Sequence, residues 1–374
     1  MKRQAPKKIK DTIAIVLIFA IPFASSLFGE TGLLGGLGMR AAELSAMLSM
    51  PEAGVTVMMD QVRSVVEEYS ADPGYQPDDY VSPADDSGES LLGLSDIERA
   101  EATIPPENRG PIETAQYASH GHGDNYFDYG AGSIRNATNY SNSEMQKAAD
   151  GALPFNIAIN SKEPQVLIMH THSTESYDPY DAGFYDIDYP TRSTDITQNI
   201  NAVGKEITDT LNSLGINTIH ATEYHDYPSY NNAYSRSALT TQSYLDKYPS
   251  IKIVLDIHRD GIQREDGTRI KPTAIIDGKK AAQIMIICGA DDGSMDLPNF
   301  RENLKFAVKL QDSAESLYPG FTRPLYLAYR HYNQDLTTGS LLVEVGAESS
   351  TLAEAKYSGQ LVARSLADTL KNQR

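Results

Sequence analysis

Short apolar runs alternate with amphipathic segments from about residue 164 to the end of the chain. The first run covers residues 165–169. The next segment places apolar side chains at spacings of three and four, at Ile196, Ile200, Val203, Ile207, Leu211 and Leu214. Such alternation is typical of βαβ units, in which helices pack on a sheet. The sequence therefore predicts an α/β domain over residues 156–374, with a mostly parallel sheet flanked by helices.

The remaining elements follow from the same pattern. Strands are predicted at residues 216–221, 251–257, 273–276, 281–289, 325–329 and 340–345. Helices are predicted at residues 196–214, 230–247 and 299–317, and a last helix begins at the capping box formed by Thr351 and Glu354.

Three polar clusters lie at or near the carboxyl ends of predicted strands, where open α/β sheets bind their ligands. They are residues 170–175 (HTHSTE), residues 256–260 (DIHRD) and Glu344 within residues 341–346 (LLVEVG). A carboxylate inside an apolar strand is costly unless it is compensated. Glu344 therefore has either an ion-pair partner, such as Arg259 or Arg330, or a catalytic role.

Histidine and carboxylate side chains are the usual ligands of catalytic zinc, and a His/His/Glu set leaves a fourth position open for water. Zinc lowers the pKa of that water to about 7. A further carboxylate can then act as general base and protonate the leaving amine. The clusters supply candidates for each of these roles, although a compact His-Glu-x-x-His motif is absent.

The N-terminus combines basic residues with an apolar run. Four lysines and one arginine lie within residues 2–10, and residues 12–28 carry no charge. This length is near the lower limit for crossing a bilayer, and the preceding basic residues favour a cytoplasmic N-terminus. We expect residues 1–30 to form a single-pass anchor in the cell membrane, with the catalytic domain extracytoplasmic. A cleavable signal is the alternative, and it also exports the rest of the chain.

Two further regions precede the predicted catalytic domain. Residues 31–70 indicate a juxtamembrane helical region that is interrupted near Pro51. Residues 71–155 are rich in acidic residues, Pro, Gly, Ser and Asn, and they lack apolar periodicity. That composition predicts a low-complexity, flexible spacer.

Charge and cysteine content exclude several classes of protein. The chain has 32 Lys and Arg against 50 Asp and Glu, a formal net charge of -18, which disfavours nucleic-acid binding. Its one cysteine, Cys288, lies in an apolar run. A disulfide framework or a cysteine-ligated zinc site within one chain is therefore excluded.

Four motifs occur in order at residues 166–177 (VLIMHTHSTESY), 225–231 (HDYPSYN), 255–260 (LDIHRD) and 332–336 (YNQDL). Together they resemble the stage II sporulation protein P family (SpoIIP), over about residues 164–370. The resemblance implies a membrane-anchored peptidoglycan hydrolase of engulfment during sporulation. It implies N-acetylmuramoyl-L-alanine amidase activity, an endopeptidase activity on cross-links, and a fold similar to the zinc-dependent amidases of the Amidase_3 type. Expected partners are peptidoglycan, the membrane and engulfment proteins of the SpoIID and SpoIIM types.

The resemblance to those amidases also implies site residues. Their strand followed by Asp-Pro-Gly-His is similar to residues 166–172, which implies His172 as a zinc ligand with His170 supporting it. Their Ser-Ile-His motif is similar to residues 256–258 and implies His258 as a ligand. Their Val-Glu-x-Gly is similar to residues 343–346 and implies Glu344 as the catalytic carboxylate.

The third zinc ligand has no clean match. Glu175 lies close to His172 in sequence, whereas Asp195 precedes the helix where the amidase glutamate would fall. We favour Glu175, because a strand-end loop can bring it to the metal without moving a helix. Seven more residues are expected to support the ligands or to contact substrate: His225, Asp226, Arg236, Arg259, Asp260, Asn333 and Gln334.

Two alternatives come from other classes of protein. A metal-independent serine hydrolase would use Ser173 or Ser176 with His170 or His258 and an acid such as Asp256, but the Gly-x-Ser-x-Gly elbow is absent. A non-catalytic cell-wall-binding scaffold would have no need for a buried Glu344. The sequence leaves open which peptidoglycan bond is cut.

Overall fold

The computed structural model describes residues 95–371. The predicted anchor at residues 1–30, the helical region at residues 31–70 and the first part of the predicted spacer lie outside the described residues. Within residues 95–371, no helix is long and apolar enough to cross a membrane.

Helices and strands alternate along most of the described chain. The helices are α1 (Asp96–Thr103), α2 (Asn142–Ala149), α3 (Ile200–Ser213), α4 (Ala233–Lys247), α5 (Phe300–Leu317) and α6 (Leu352–Lys371). The strands are β1 (Arg109–Ala115), β2 (Tyr126–Tyr129), β3 (Gly132–Asn136), β4 (Val166–Met169), β5 (Phe184–Asp186), β6 (Thr218–His220), β7 (Ile253–Asp260), β8 (Arg269–Ile276), β9 (Lys279–Ala282), β10 (Ile284–Gly289), β11 (Leu325–Ala328) and β12 (Ser340–Ala347). A short 3₁₀ helix spans Pro106–Asn108.

The strands form two sheets. The larger has eight strands in the order β2-β3-β11-β10-β12-β7-β4-β6, and the smaller has four in the order β5-β1-β8-β9. Strands β6, β4, β7 and β12 are mutually parallel. Their carboxyl ends therefore meet at one edge of the larger sheet, which brings the three polar clusters together.

Both sheets are mixed, so the prediction of a mostly parallel sheet is wrong. Strand β10 runs antiparallel to β12, and β2 runs antiparallel to β3. In the smaller sheet, β5 is antiparallel to β1 and β9 is antiparallel to β8. For β9 and β10 the cause is the segment from β7 to β10, which contains only strands and loops. A parallel return requires a long crossover, usually a helix, and this segment has none.

The segment at residues 95–155 also differs from the prediction of a flexible spacer. It forms α1, α2 and three strands, of which β1 joins the smaller sheet and β2 and β3 form one end of the larger sheet. Few of its residues are apolar, but Ile134 and Met145 are completely buried in the main core. Short, half-exposed strands with one or two buried anchors leave little apolar periodicity, and their polar composition resembles that of a loop.

Two cores cover opposite faces of the larger sheet. Val166 and Ile168 of β4 face the main core, to which α3, α5 and α6 contribute buried side chains. Leu167 and Met169 point to the other face, into a smaller cluster against which Tyr244 and Leu245 of the α4 helix pack. The alternation follows from the two-residue period of a strand.

Candidate active site

The polar clusters converge around His258. The register of β7 and β12 places Glu344 beside His258, and the register of β4 and β7 places Met169 beside Asp256. The turn after β4 then brings His172 to the same place, where its ring lies perpendicular to that of His258 with centroids 5.2 Å apart. Residues that are 86 positions apart in the chain thus become neighbours, as strand pairing predicts.

His258 is held between two carboxylates. Its Nε2 lies 2.8 Å from Asp256 Oδ1, without the alignment of a regular hydrogen bond, and its Nδ1 lies 3.6 Å from Glu175 Oε2. Burial lowers the pKa of His258, but the charges of Asp256, Glu175 and Glu344 outweigh burial and raise that pKa to about 10.

Glu175 is buried in the site and has cationic neighbours. Its Oε2 accepts a hydrogen bond from the backbone N of Arg259 at 3.1 Å, and its Oε1 lies 4.0 Å from the Arg192 guanidinium. Asp195, the alternative third ligand, is exposed, and its carboxylate accepts hydrogen bonds from Thr197 N at 2.8 Å and Thr197 Oγ1 at 2.7 Å. The structure brings Glu175, and not Asp195, next to His258.

Glu344 keeps part of its side chain exposed, but its Oε2 is buried and has no hydrogen-bond partner. Burial raises the pKa of Glu344 to about 8, and the charge of Asp260 adds to the effect while His258 opposes it. Neither of the arginines considered as ion-pair partners serves it. Arg259 lies 3.5 Å from Glu348, and Arg330 donates to the carbonyl of Tyr329 at 3.0 Å.

His172 lies under an aromatic lid. The Tyr230 ring stacks on it with centroids 4.6 Å apart, and the Tyr230 hydroxyl is 3.2 Å from His172 Nε2. Its Nδ1 is buried without a hydrogen-bond partner. Burial and the nearby charges of His258 and Arg192 hold the pKa of His172 well below its usual range, so the ring is neutral at neutral pH.

The chemistry of this cluster fits zinc. Neutral imidazole nitrogens and carboxylate oxygens are its usual donors, and His172 Nδ1 is unpartnered while His258 Nδ1 and Glu175 Oε2 face each other. Because its pKa is raised, His258 would release its Nδ1 proton on binding the metal. The carboxylate of Asp256 on the far nitrogen of His258 matches the support that metal-binding histidines receive. Among the described residues, no group of three or more His, Cys, Asp or Glu side chains is already arranged to hold a metal ion.

His170 lies on the opposite face of the sheet from the cluster. Its Nδ1 is 2.9 Å from the carbonyl of Ile257, and its Nε2 is 2.8 Å from His220 Nε2. Burial lowers the pKa of both rings, that of His220 to about 4. Helix α3 passes the pair at Gly204, where a Cβ would lie 2.4 Å from His170 Nε2. His170 therefore supports the end of β4 from behind.

The motif at residues 225–231 forms the wall beside His172. His225 Nδ1 is 2.7 Å from the carbonyl of His170, and Asp226 accepts hydrogen bonds from Thr174 and from the Arg192 guanidinium at 2.7 Å. Arg236 donates to the carbonyl of His225 at 2.6 Å. These side chains are occupied in shaping the loop.

The remaining predicted site residues mostly hold the scaffold. Asp260 is paired with Arg323 at 2.8 Å. Gln334 is buried, and its side-chain amide accepts a hydrogen bond from Gly289 N and donates one to Ile287 O. It therefore pairs with the backbone of β10 instead of facing substrate. Asn333 donates to Tyr234 O at 2.9 Å and to Ser237 Oγ at 3.0 Å.

The serine-hydrolase alternative finds no catalytic pair. Ser173 Oγ donates to Asp226 at 3.1 Å and accepts from His225 N at 3.0 Å. Ser176 Oγ is buried with no hydrogen-bond partner. Neither hydroxyl is bonded to a histidine ring, which a serine nucleophile requires.

Three residues that line the site were not singled out from the sequence. Arg192 packs over the Tyr230 ring at 4.7 Å and links Asp226 with Glu175. The Tyr234 ring lies parallel to that of His258, with centroids 6.5 Å apart. Tyr230 lies in the loop just before α4 and Tyr234 lies in the first turn of that helix, so their spacing of four was available as a signal, whereas Arg192 lies in a loop with no distinctive pattern.

Comparisons with known proteins cover most of the described chain. Among solved structures, similarity extends to the N-acetylmuramoyl-L-alanine amidase AmiC2 of Nostoc punctiforme, with a TM-score of 0.32, 11% identity and coverage of 56% of this chain and 96% of that chain. The CwlD amidase of Clostridioides difficile, solved in complex with the GerS lipoprotein, has a TM-score of 0.33, 11% identity and coverage of 56% and 98%. The amidase Ami1 of Mycobacterium smegmatis has a TM-score of 0.32, 14% identity and coverage of 59% and 100%.

A sporulation protein has a higher sequence identity to this chain than these solved amidases have. The stage II sporulation protein P of Bacillus subtilis (strain 168) is 31% identical over 209 residues, which cover 53% of this chain and 49% of that protein. The match thus spans about half the length of that relative. The family model "Stage II sporulation protein P (SpoIIP)" matches residues 93–367. That range is more than half of the chain, and it includes the whole site and every strand of the described residues. The chain therefore belongs to the stage II sporulation protein P family.

Proposed function

We propose that this protein is a zinc-dependent peptidoglycan hydrolase of sporulation, and that it cleaves the amide bond between N-acetylmuramic acid and L-alanine. We also propose an endopeptidase activity on peptide cross-links at the same site. The observation that carries the proposal is the cluster of the buried His172, His258 and Glu175 with the partly exposed Glu344 at the carboxyl ends of the parallel strands. Membership of the stage II sporulation protein P family supports the role in sporulation, and the amidase activity is the one named for solved structures to which the chain is similar.

In this proposal His172, His258 and Glu175 hold the metal. Bound zinc would supply the Lewis acid that lowers the pKa of an attacking water. Asp256 keeps the His258 ring turned so that Nδ1 points to Glu175, and Arg192 and the backbone N of Arg259 hold the Glu175 carboxylate.

Glu344 moves the proton. Its Oε2 is unpartnered and buried, and burial raises its pKa to about 8. A carboxylate with a pKa near the working pH accepts a proton from water and returns it to a leaving amine efficiently. The half-buried Tyr230 and Tyr234 beside His172 provide a polar, aromatic wall for an extended substrate.

Zinc content tests the ligand set. The His172→Ala and His258→Ala proteins should fold and should lose stoichiometric zinc, because each removes one of three proposed donors. His120→Ala is the matched control, because the exposed His120 lies 2.9 Å from Asp128 of β2, at the opposite end of the larger sheet from β7 and β4. Its zinc content should equal that of the parent. Folded His172→Ala and His258→Ala proteins with full zinc would refute the ligand set.

We also propose that the catalytic domain works outside the cytoplasm at the cell membrane, because basic residues precede the apolar run at residues 12–28. Engulfment proteins of the SpoIID and SpoIIM types remain the expected partners. A reporter that is active only in the cytoplasm, fused after Arg374, should be inactive. Activity of that fusion would exclude the proposed location.

A further inference from the structure

A chain of polar contacts runs through the protein interior from Asn333 to His258. Asn333 Nδ2 donates to Ser237 Oγ at 3.0 Å, and Ser237 Oγ lies 2.8 Å from Thr171 Oγ1. Thr171 Oγ1 donates to Asp256 Oδ2 at 2.6 Å, and Asp256 Oδ1 lies 2.8 Å from His258 Nε2. The contacts connect the loop after β11, helix α4 and strands β4 and β7.

Which atom donates in each of these polar contacts follows from the contacts at the Asp256 end. The Asp256 carboxylate accepts two hydrogen bonds from Thr171, one from the hydroxyl and one from the backbone N at 2.8 Å. Because the Thr171 proton is used there, the Thr171 oxygen can only accept, and Ser237 Oγ is the donor in the 2.8 Å contact between them. The carbonyl of Tyr234, 3.1 Å from Ser237 Oγ, is a second acceptor for the same proton, and Ser237 Oγ accepts from the Asn333 amide. Each link then polarises the next toward the carboxylate.

Burial makes this series of polar contacts rigid. Thr171 and Ser237 have no exposed surface, and Asp256 and His258 are 4% and 3% exposed. Water cannot replace a missing link in such a place, so loss of one hydroxyl leaves its neighbours unsatisfied.

The outer end of the chain is a strained turn. Tyr332 and Asn333 have positive φ angles of 45° and 53°, a region that non-glycine residues seldom adopt. Such strain persists only where surrounding contacts enforce it. Asn333 supplies those contacts by donating to Ser237 Oγ and to the carbonyl of Tyr234, whose ring packs on Tyr332 with centroids 5.3 Å apart.

We propose that Thr171, Ser237 and Asn333 are positioning residues that act through Asp256 to hold the His258 imidazole in one orientation. None of the three is a proposed zinc ligand. The consequence for catalysis rests on the proposed function, in which His258 binds the metal through its other nitrogen. Outer contacts of this kind change metal affinity or activity by about 10- to 100-fold when they are removed.

The test uses the isosteric Thr171→Val, which removes only the hydroxyl, and Thr171→Ser, which keeps it. Ser237→Ala breaks the chain one link further from His258. Ser365→Ala is the matched control, because Ser365 is equally buried and its hydroxyl bonds only to a helix carbonyl, that of Leu361, at 2.9 Å. Three measurements are made on the full chain: exchange of the His258 ring N–H by NMR without metal, the Kd for zinc, and kcat and KM.

The expected result is faster exchange of the His258 ring N–H in Thr171→Val and Ser237→Ala, with parent-like exchange in Thr171→Ser and Ser365→Ala. Zinc affinity and kcat should fall about 10- to 100-fold in Thr171→Val, while KM stays near the parent value. A folded Thr171→Val protein with the parent's ring signal would overturn the inference. If Thr171→Val does not fold, Ser237→Ala decides by the same readout.

The ring signal is read without zinc or substrate. A parent protein that binds no zinc and hydrolyses no peptidoglycan would therefore contradict the proposed function, and the NMR comparison would still decide the role of the chain.

Discussion

Glu344 and His258 occupy paired positions on two parallel strands, and most of the chemistry of the site follows from that register. Strand pairing explains why these two residues could be selected from sequence, since polar residues inside apolar runs need compensation when they are buried. The same logic failed for Gln334. It reads as a substrate contact in the sequence, but it satisfies the backbone of β10. Only the tertiary structure reveals which backbone groups lack partners.

Glu344→Gln tests the proton-transfer role at the residue scale. Glutamine keeps the shape and hydrogen-bonding capacity of glutamate but cannot take a proton, so kcat should fall by about two to four orders of magnitude. Zinc content should stay at the parent level. Glu302→Gln, at a partly exposed position of α5 where the carboxylate pairs with Lys305, is the control and should keep parent activity.

Two results would change this assignment. Near-parent cleavage by Glu344→Gln would remove the residue from the proton-transfer step. Loss of zinc would make Glu344 a ligand and would displace Glu175 from the proposed set.

At the scale of elements, the helices and most of the strands after residue 164 were predictable because long amphipathic helices and apolar strands have strong periodicity. The short strand β5 was not predicted, and the predicted strand at residues 281–289 is divided between β9 and β10. The capping box was also correct: Thr351 N donates to Glu354 Oε2 at 2.8 Å. The antiparallel hairpin of β8 and β9 was not predicted, although the dipeptide Asp277-Gly278 favours a hairpin turn. Both have positive φ and form the two-residue turn of an antiparallel hairpin.

The segment before residue 155 could not be predicted in the same way. Strand β1 is half exposed, and it obtains its partners from β5 and β8, which lie far away in sequence. Pairing of this kind depends on edges that the rest of the fold supplies, so local composition contains little information about it.

Gly204→Ala tests the packing of α3 on the end of β4. A Cβ at this position would lie 2.4 Å from His170 Nε2 and 2.6 Å from His220 Nε2. We expect a loss of about 1–3 kcal/mol in the free energy of unfolding, as for other overpacked cores, measured by urea denaturation. Lys205→Ala, an exposed neighbour on the same helix, should change it by less than about 0.5 kcal/mol. Equal stability of the Gly204→Ala and parent proteins would show that the histidine pair is not tightly held.

At the scale of the whole molecule, stability should depend on pH through Asp178, which joins the loop after β4 to the loop after β12. Its backbone N donates to the carbonyls of Glu348 and Ser350 at 3.0 Å. Burial raises the pKa of its carboxyl from 3.8 to about 7. The Asp178 carboxyl therefore ionises at a lower pH in the unfolded chain than in the folded protein. The stability of the folded protein is lost as the pH rises from about 4 to about 7.

Asp178→Asn should remove that penalty. The variant should be more stable than the parent at pH 8 by up to about 4 kcal/mol, and the difference should vanish near pH 4. The asparagine Oδ1 can still accept the hydrogen bond that Tyr180 N donates at 3.0 Å. Asp246→Asn, an exposed change on α4, should show no such dependence on pH. A stability difference for Asp178→Asn that is the same at both pH values would contradict the ionisation account.

We propose that the cluster around His258 hydrolyses an amide bond in peptidoglycan. The most direct measurement is mass spectrometry of the products released from purified peptidoglycan by residues 95–374, a fragment that includes the strands β1, β2 and β3 of both sheets. The account predicts zinc-dependent release of stem peptides with a free N-terminal L-alanine, abolished by a chelator and restored by zinc. Release that continues undiminished in the chelator, or no release by the zinc-loaded protein, would contradict it.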